Sequence, residues 1–188
     1  MTPYATTTDA TAYFTARGQS TEWSAVADPA AALYRASQYI DLRYRRRIGT
    51  GKWACMFSGE RVAGRTQDQE WPRVNATDYY GNAVDSATIP LEVQNATIEA
   101  ALREGTNPGS LLPDYDPATD RLPTSEQVGT LKISYGNTLT YKNATVQQEN
   151  DTSPAVPIFP EIDAIIAPLL TGPGASAFGA NVAMNVIR

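Results

Sequence analysis

Residues 28–49 constrain the fold of this chain more than any other stretch. Asp28 is a favoured helix N-cap, and Pro29 suits the first helical position because it needs no backbone donor there. Four apolar side chains then recur at helical spacing: Leu33, Ala36, Ile40 and Tyr44. Arginines crowd the following turn, where cations suit the helix dipole, and Gly49 ends the run. The pattern predicts a helix from Pro29 into the arginine run, with one buried face.

Four more segments have helical signals. We predict a helix from Thr8 to about Arg17 and a short helical turn that begins near Ser20. A longer helix is predicted from about Thr88 to Glu104, with a proline in its first turn, and a short one within Phe159–Leu170. The first helices should meet over a common set of core anchors: Trp23, Leu33, Ile40, Tyr44 and Val93.

Between and after these helices the chain is rich in turns, since 13 glycines and 13 prolines occur in 188 residues. Residues 50–88 predict a long loop with short pieces, including an extended element at Trp71–Arg73. Residues 131–135 alternate in hydrophobicity like a strand. Gly136-Asn137 is a turn signal, so we predict a hairpin whose return strand is Leu139–Tyr141.

These signals predict a mainly α fold: a small helical bundle with a β-hairpin and long extended arms. The expected divisions are a helical core at 1–104 and a proline-rich arm with the hairpin at 105–158. A short C-terminal helix follows at 159–171, and an extended tail at 172–188. The tail has no charge before Arg188 but carries five sizeable apolar residues, which we predict to dock on a partner: Phe178, Val182, Met184, Val186 and Ile187.

Charge is unevenly distributed along the chain. Residues 29–73 hold nine of the 15 basic residues and four of the 20 acidic ones, so this segment is at +5 in a chain of net charge −5. Its densest part is a basic patch: Arg43, Arg45, Arg46, Arg47 and Lys52. A P-loop is rejected, because Arg46 replaces its first glycine and Trp53 replaces its hydroxyl residue. Two interpretations stay open: a DNA-facing wall or a subunit contact.

The residue types present exclude several chemistries. There is no histidine, so Ser-His-Asp and Cys-His catalysis and histidine-containing zinc sites are excluded, and the single Cys55 excludes four-cysteine metal sites. No compact acidic motif suggests carboxylate catalysis. We therefore expect a protein that is not an enzyme and uses no cofactor or metal. The sequence also has no apolar run of membrane-spanning length and no secretory signal pattern, so no membrane role is expected.

Several blocks together resemble a known family of tailed-phage proteins. The blocks are AYFTARG at 12–18, AALYRASQYIDLRYRRRIGTG at 31–51, QEWPR at 69–73, IPLEVQNATIEAAL at 89–102, SEQVGTLKISY at 125–135 and FPEIDAIIAPLL at 159–170. In genome annotation, members of this family are often called DnaT-like single-stranded-DNA-binding proteins. In size and helical layout the chain also resembles phage head–tail connectors, or adaptors.

The two resemblances imply different functions. A connector would be a structural virion protein of the neck that assembles in the host cytoplasm into a ring, twelve-fold to match the portal. It would contact the portal, a tail-side stopper or terminator protein, and the packaged double-stranded DNA in its channel. A DnaT-like replication protein would instead bind single-stranded DNA, with Tyr44 and Trp53 beside the basic patch as stacking side chains. From the residues we expect the connector and keep the DNA-binding protein as the alternative.

Overall fold

Five α-helices form the body of the protein in a computed structural model. The structure describes residues 2–49, 52–113, 125–128, 131–134, 138–141, 144–147 and 157–170. The side-chain contacts discussed below lie within 2–45, 54–113 and 157–170. The helices are α1 (Thr7–Ala16), α2 (Ser20–Ser24), α3 (Pro29–Arg43), α4 (Leu91–Thr106) and α5 (Pro160–Ile166). The fold is therefore mainly α, as the sequence predicts.

Local signals place the helix starts. Thr6 caps α1 in a capping box, in which its hydroxyl accepts from the Asp9 amide at 3.1 Å while the Asp9 carboxylate accepts from the Thr6 amide at 3.1 Å. Asp28 caps α3 by accepting from the Ala31 amide at 3.0 Å, with Pro29 at the first helical position. Pro90 lies at the N-cap of α4, one position before the helix begins.

The core lies where α3 packs on α4, and α1, α2 and α5 also pack against α4. The five anchors named from the sequence are all in it. Leu33, Ile40, Tyr44 and Val93 are fully buried, and Trp23 is 4% exposed. Phe14 packs against Trp23 with ring centroids 5.2 Å apart, which joins α1 to α2. A second aromatic row runs from Tyr44 through Phe57 to Trp71, with successive centroids 5.5 and 5.4 Å apart.

The predicted continuation of α3 through the arginine run is wrong. The helix ends at Arg43, and the next residues form strand β1 (Arg45–Gly49), which pairs antiparallel with β2 (Lys52–Cys55). Arginine favours helices, but this preference is weak and tertiary contacts override it. Here Tyr44 is buried in the core, and the amide of Met56, the residue after β2, donates to the Tyr44 carbonyl at 2.8 Å. This bond and the pairing with β2 hold residues 45–49 as a strand.

The other strands form three short antiparallel pairs. β3 (Glu60–Arg61) pairs with β4 (Arg73–Val74), so the predicted extended element around Trp71–Arg73 ends in a strand, and its Trp71-Pro72 peptide is cis. Later in the chain β5 (Ser125–Val128) pairs with β6 (Leu131–Ser134), and β7 (Thr138–Tyr141) pairs with β8 (Ala144–Gln147). The sequence predicted that the strands at 131–135 and 139–141 pair with each other. In the structure they lie in two different hairpins, as β6 and β7.

The chain returns to the core at α5, which begins with Pro160 as predicted and continues into a 3₁₀ turn at Ala167–Leu169. Ile162 and Ile166 are fully buried, and the Tyr39 hydroxyl donates to the Pro157 carbonyl at 2.7 Å. Residues 114–124 of the predicted proline-rich arm, and the predicted tail at 172–188, lie outside the described residues. Within the described ranges, every helix is too short or too polar to cross a bilayer.

Candidate nucleic-acid interface

The β1–β2 hairpin carries four of the five residues of the predicted basic patch. In its register Arg45 lies opposite Cys55, Arg46 opposite Ala54, and Arg47 opposite Trp53. The register then shifts, so that Gly49 lies opposite Lys52. The hairpin therefore brings the basic residues and Trp53 of the patch into one small unit, whereas the sequence analysis placed the arginines on a helix end.

Arg43, the fifth member of the patch, stays on α3 and binds inside the protein. Its guanidinium donates to the Asp163 carboxylate of α5 at 3.0 Å and lies 5.9 Å from the centre of the Tyr44 ring. The Tyr44 hydroxyl donates to the other oxygen of Asp163 at 2.8 Å. Arg43 and Tyr44 together therefore fasten α5 to the C-terminal end of α3, so both have a structural role.

Three arginines surround Glu70 at the base of the hairpin, and we call Arg45, Arg61, Glu70 and Arg73 the Glu70 cluster. Glu70 is only 4% exposed. It accepts from Arg45 at 3.2 Å, from Arg61 at 2.6 Å and from Arg73 at 2.7 Å. One buried carboxylate thus joins β1, β3 and β4.

Arg73 has all of its donor nitrogens directed at oxygen atoms. Besides Glu70, its guanidinium donates to the carbonyl of Ser58 at 2.7 Å and to that of Gly59 at 2.6 Å. Gly59 has a φ of +69°, and a Cβ there would lie 2.2 Å from the carbonyl oxygen of Val74. A side chain at position 59 is therefore excluded both by backbone conformation and by space.

Asp41 lies behind the cluster, in the last turn of α3. It is 6% exposed, forms a short hydrogen bond with the Tyr4 hydroxyl, and accepts from the Glu70 amide at 3.2 Å. The Trp71 amide in turn donates to the Tyr4 hydroxyl at 3.2 Å, and the Tyr4 amide donates to Ser37 at 3.0 Å. These bonds connect the N-terminal segment, α3 and the Glu70 cluster.

The two buried carboxyl groups have opposite pKa shifts. Burial raises the pKa of Asp41 to about 6, although its hydrogen bonds from Tyr4 and from the Glu70 amide oppose that shift. Burial also disfavours the charged form of Glu70, but the hydrogen bond from Arg61 and the charges of Arg61, Arg73 and Arg45 outweigh it and lower the pKa of Glu70 to about 2. Glu70 is therefore the stable anion of this region.

A second network lies away from the hairpin, and we call Arg17, Glu99, Arg103 and Glu161 the Glu99 cluster. Arg17 binds Glu161 at 2.6 Å and lies 3.4 Å from Glu99. Arg103 binds Glu99 at 3.1 Å and Glu161 at 2.7 Å. Tyr13 donates its hydroxyl to Glu99 at 3.0 Å. The cluster links α1, α4 and α5.

Most of the basic side chains that the structure describes are therefore paired with carboxylates. Seven basic residues with described side chains pair with carboxylates of the same chain: Arg17, Arg35, Arg43, Arg45, Arg61, Arg73 and Arg103. Glu70 and Glu99 carry these networks, and the sequence analysis missed both. The sequence signal for Glu70 was its position directly before Trp71-Pro72, and the signal for Glu99 was its position on the apolar face of α4.

The remaining predicted site residues belong to the C-terminal tail. The docking-tail residues Phe178, Val182, Met184, Val186 and Ile187 lie outside the described residues. Over the ranges that the structure describes, no three potential metal-binding side chains come together.

The sequence matches one family model, described as "Putative DnaT-like ssDNA binding protein", over residues 2–187. No curated protein and no solved structure gave a match. The match confirms the DnaT-like resemblance, and nothing in these comparisons supports the head–tail connector family. Since the match covers almost the whole length, the chain belongs to the DnaT-like single-stranded-DNA-binding family.

Proposed function

We propose that the protein binds single-stranded DNA through the β1–β2 hairpin. Arg46, Arg47 and Lys52 would neutralise phosphates, and Trp53 would offer a ring on which a base can stack. The observation that carries the proposal is the register of the hairpin, in which Arg47 lies opposite Trp53. Family membership supports single-stranded DNA as the ligand.

Cross-strand neighbours supply the two interactions that such binding needs. Residues opposite each other in an antiparallel pair belong to the same face, with Cβ atoms about 4.5–5.5 Å apart. A basic and an aromatic residue at such positions can contact a phosphate and its base together. Base stacking on an aromatic ring contributes about 1–3 kcal/mol and tolerates any base, which suits binding without sequence preference.

Electrostatics limit the strength of this binding. The chain has a net charge of −5, and Arg43 and Arg45 are paired with Asp163 and Glu70. The proposal assigns phosphate contacts to three cations, Arg46, Arg47 and Lys52. Because each phosphate neutralised on a single strand adds about −0.7 to the slope of log K against log salt, three contacts give a slope of about −2. Binding should then weaken by roughly 10- to 20-fold between about 50 and 200 mM salt.

Fluorescence anisotropy with labelled oligo(dT) tests the proposal. The variant R46A/R47A/K52A should lose most of the affinity and flatten the salt slope towards zero. R65A is the matched control, since Arg65 is an exposed arginine outside the hairpin, in the 3₁₀ turn at Gly64–Thr66. It should bind like the wild type. Unchanged binding by the triple variant, with an unchanged melting temperature, would refute the proposal.

A head–tail connector is the second candidate, because most arginines with described side chains are already held by internal carboxylates. A channel wall must tolerate passing DNA without gripping it, and a net acidic body with few available cations suits that. In this role twelve copies would form a ring between the portal and a stopper or terminator protein, around packaged double-stranded DNA.

Mixing the protein with purified portal rings separates the two candidates. A connector should add an ordered ring of density to the portal in electron micrographs and bind oligo(dT) negligibly at 200 mM salt. The proposed DNA-binding protein should leave the portal rings bare and bind oligo(dT) in preference to duplex.

A further inference from the structure

Tyr79 and Tyr80 are exposed side by side on one loop. Their exposed fractions are 67% and 83%, and within 2–45, 54–113 and 157–170 no other aromatic side chain is exposed to that degree. Their ring centroids lie 5.4 Å apart with the planes at 88°. Two adjacent exposed rings are a large apolar surface that the folded chain does not use for its own core.

The loop that presents these rings is internally braced. The Asp78 carboxylate accepts from the amides of Tyr80 and Asn82 at 2.9 and 2.8 Å and from the Asn82 side chain at 2.8 Å. The Tyr79 amide donates to the Pro168 carbonyl at 2.7 Å, and Ser58 exchanges two hydrogen bonds with Thr77. A braced loop loses little conformational entropy on binding, so the rings are pre-organised for a partner.

The charge around the rings decides between kinds of partner. Residues 74–91 contain two acidic residues, Asp78 and Asp85, and no lysine or arginine. Asp78 is in the loop itself, and Asp85 is exposed seven residues further along the chain. Nucleic acid would bring phosphates towards these carboxylates, and this stretch supplies no cation to offset them, which opposes binding. A protein surface that is basic and also offers an apolar contact fits the loop better.

We propose that the Tyr79–Tyr80 loop of one copy docks on the β1–β2 hairpin of a second copy. The hairpin carries Arg46, Arg47 and Lys52, so it is basic where the loop is acidic. Arg47 and Trp53 lie opposite each other in its register, so one face of the hairpin offers both a cation and a ring to the tyrosines. The folded chain leaves both rings uncovered, so a second copy can cover them. The contact is head-to-tail, because each copy offers a loop at one place and a hairpin at another, and repeated contacts of this type give rings or filaments.

The inference shares the hairpin with the proposed function, so single-stranded DNA and the second copy compete for it. Sedimentation velocity of the full chain, at several protein concentrations and two salt concentrations, measures the self-association directly. Wild-type protein should associate with concentration, less so at high salt. Y79A/Y80A should associate roughly 30-fold more weakly, which is the loss typical of a removed hot-spot side chain.

Complementation is the decisive step. R46E/R47E should also be monomeric, while R65E, the matched control, should associate like the wild type. An equimolar mixture of Y79A/Y80A and R46E/R47E keeps one intact loop and one intact hairpin, so it should form a dimer and nothing larger. If R46E/R47E fails to fold by circular dichroism, K52E replaces it in the mixture.

Three results would overturn the docking contact: a wild-type monomer at all concentrations, a mixture that stays monomeric, or unchanged association of Y79A/Y80A. Weaker oligo(dT) binding by Y79A/Y80A, with association intact, would show that the rings stack on bases instead. The DNA proposal fails separately: a protein that self-associates but does not bind oligo(dT) refutes that proposal and leaves the docking contact standing.

Discussion

The Glu70 cluster and the Glu99 cluster are both made of arginines and glutamates, yet they differ in charge balance and in exposure. The Glu70 cluster has three arginines around one carboxylate that is 4% exposed. The Glu99 cluster has two arginines and two glutamates, and Arg17 and Glu161 each have 42% of the side chain exposed. One cluster has a formal surplus of two positive charges, and the other is neutral.

This difference separates two uses of the same residue types. In the neutral cluster each charge has its opposite close by, so the cluster can link α1, α4 and α5 with little effect on the field around the protein. In the Glu70 cluster the surplus positive charge lies at the base of the β1–β2 hairpin. In the two proposals made above, that charge would add to Arg46, Arg47 and Lys52 in attracting an anionic ligand or the acidic loop of a second copy.

Glu70→Gln should have the largest effect on stability. It leaves three arginines without their buried counter-ion, and breaking a buried pair by removing one partner costs about 3–5 kcal/mol. Urea unfolding monitored by circular dichroism measures the change. Because the pKa of Glu70 is lowered to about 2, its contribution is present above the ordinary glutamate pKa and is lost as the pH falls through about 2. In the variant, the free energy of unfolding should therefore lack the part of its decrease at acid pH that comes from protonation of Glu70.

A loss below about 1 kcal/mol in Glu70→Gln would mean that the three arginines are satisfied without the carboxylate, in which case the two clusters would not differ as described.

Asp41→Asn should change the pH dependence of stability in the opposite sense. Burial raises the pKa of Asp41 to about 6, whereas an aspartate in an unfolded chain titrates near about 3.9. The folded protein therefore binds more protons between these pH values, so this group's contribution to the unfolding free energy falls as the pH rises through the window. From about pH 4 to 7 wild-type protein should lose up to about 3 kcal/mol relative to Asp41→Asn.

Thermal or urea unfolding of both proteins at four pH values checks the Asp41 effect. Parallel stability curves for the two proteins would show that Asp41 is ionised throughout, and that the positive surplus near the hairpin is smaller than the cluster comparison implies.

Glu161→Gln should have the smallest effect. Glu161 is an exposed member of a neutral cluster, and exposed ion pairs contribute about 0–1 kcal/mol. Glu99 keeps its contacts with Arg17 and Arg103 in this variant. The same urea experiment measures it. A cost approaching that of Glu70→Gln would erase the distinction between the clusters.

The sequence predicts the helices well because their signals are local. Asp28 and Pro29 fix the start of α3, and Leu33, Ile40 and Val93 reach the core by helical spacing alone. The end of α3 was not predictable in this way. Arg45, Arg46 and Arg47 suit a helix locally, and they become a strand because of contacts with β2 and with Glu70, 25 residues away from Arg45.

For the site, the sequence predicted which residues form the basic patch but not which contacts they make. The sequence identified the basic patch, but whether an arginine faces solvent or a carboxylate depends on which distant segment packs against it. Glu70 takes its partners from β1, β3 and β4, and no periodicity relates those positions. Trp53 was noted as a possible stacking residue, while the Tyr79–Tyr80 loop was overlooked because an exposed aromatic has no sequence signal of its own.

The anchoring of α5 has a consequence for how this chain tolerates change in length. Leu111 and Pro157 are both buried, and the Tyr39 hydroxyl binds the Pro157 carbonyl, so the chain leaves the core and returns to it at two fixed points. The entropy of closing such an excursion grows only with the logarithm of its length, by about 0.6 kcal/mol for each doubling. We therefore expect insertions between these points to be nearly neutral for the helical core.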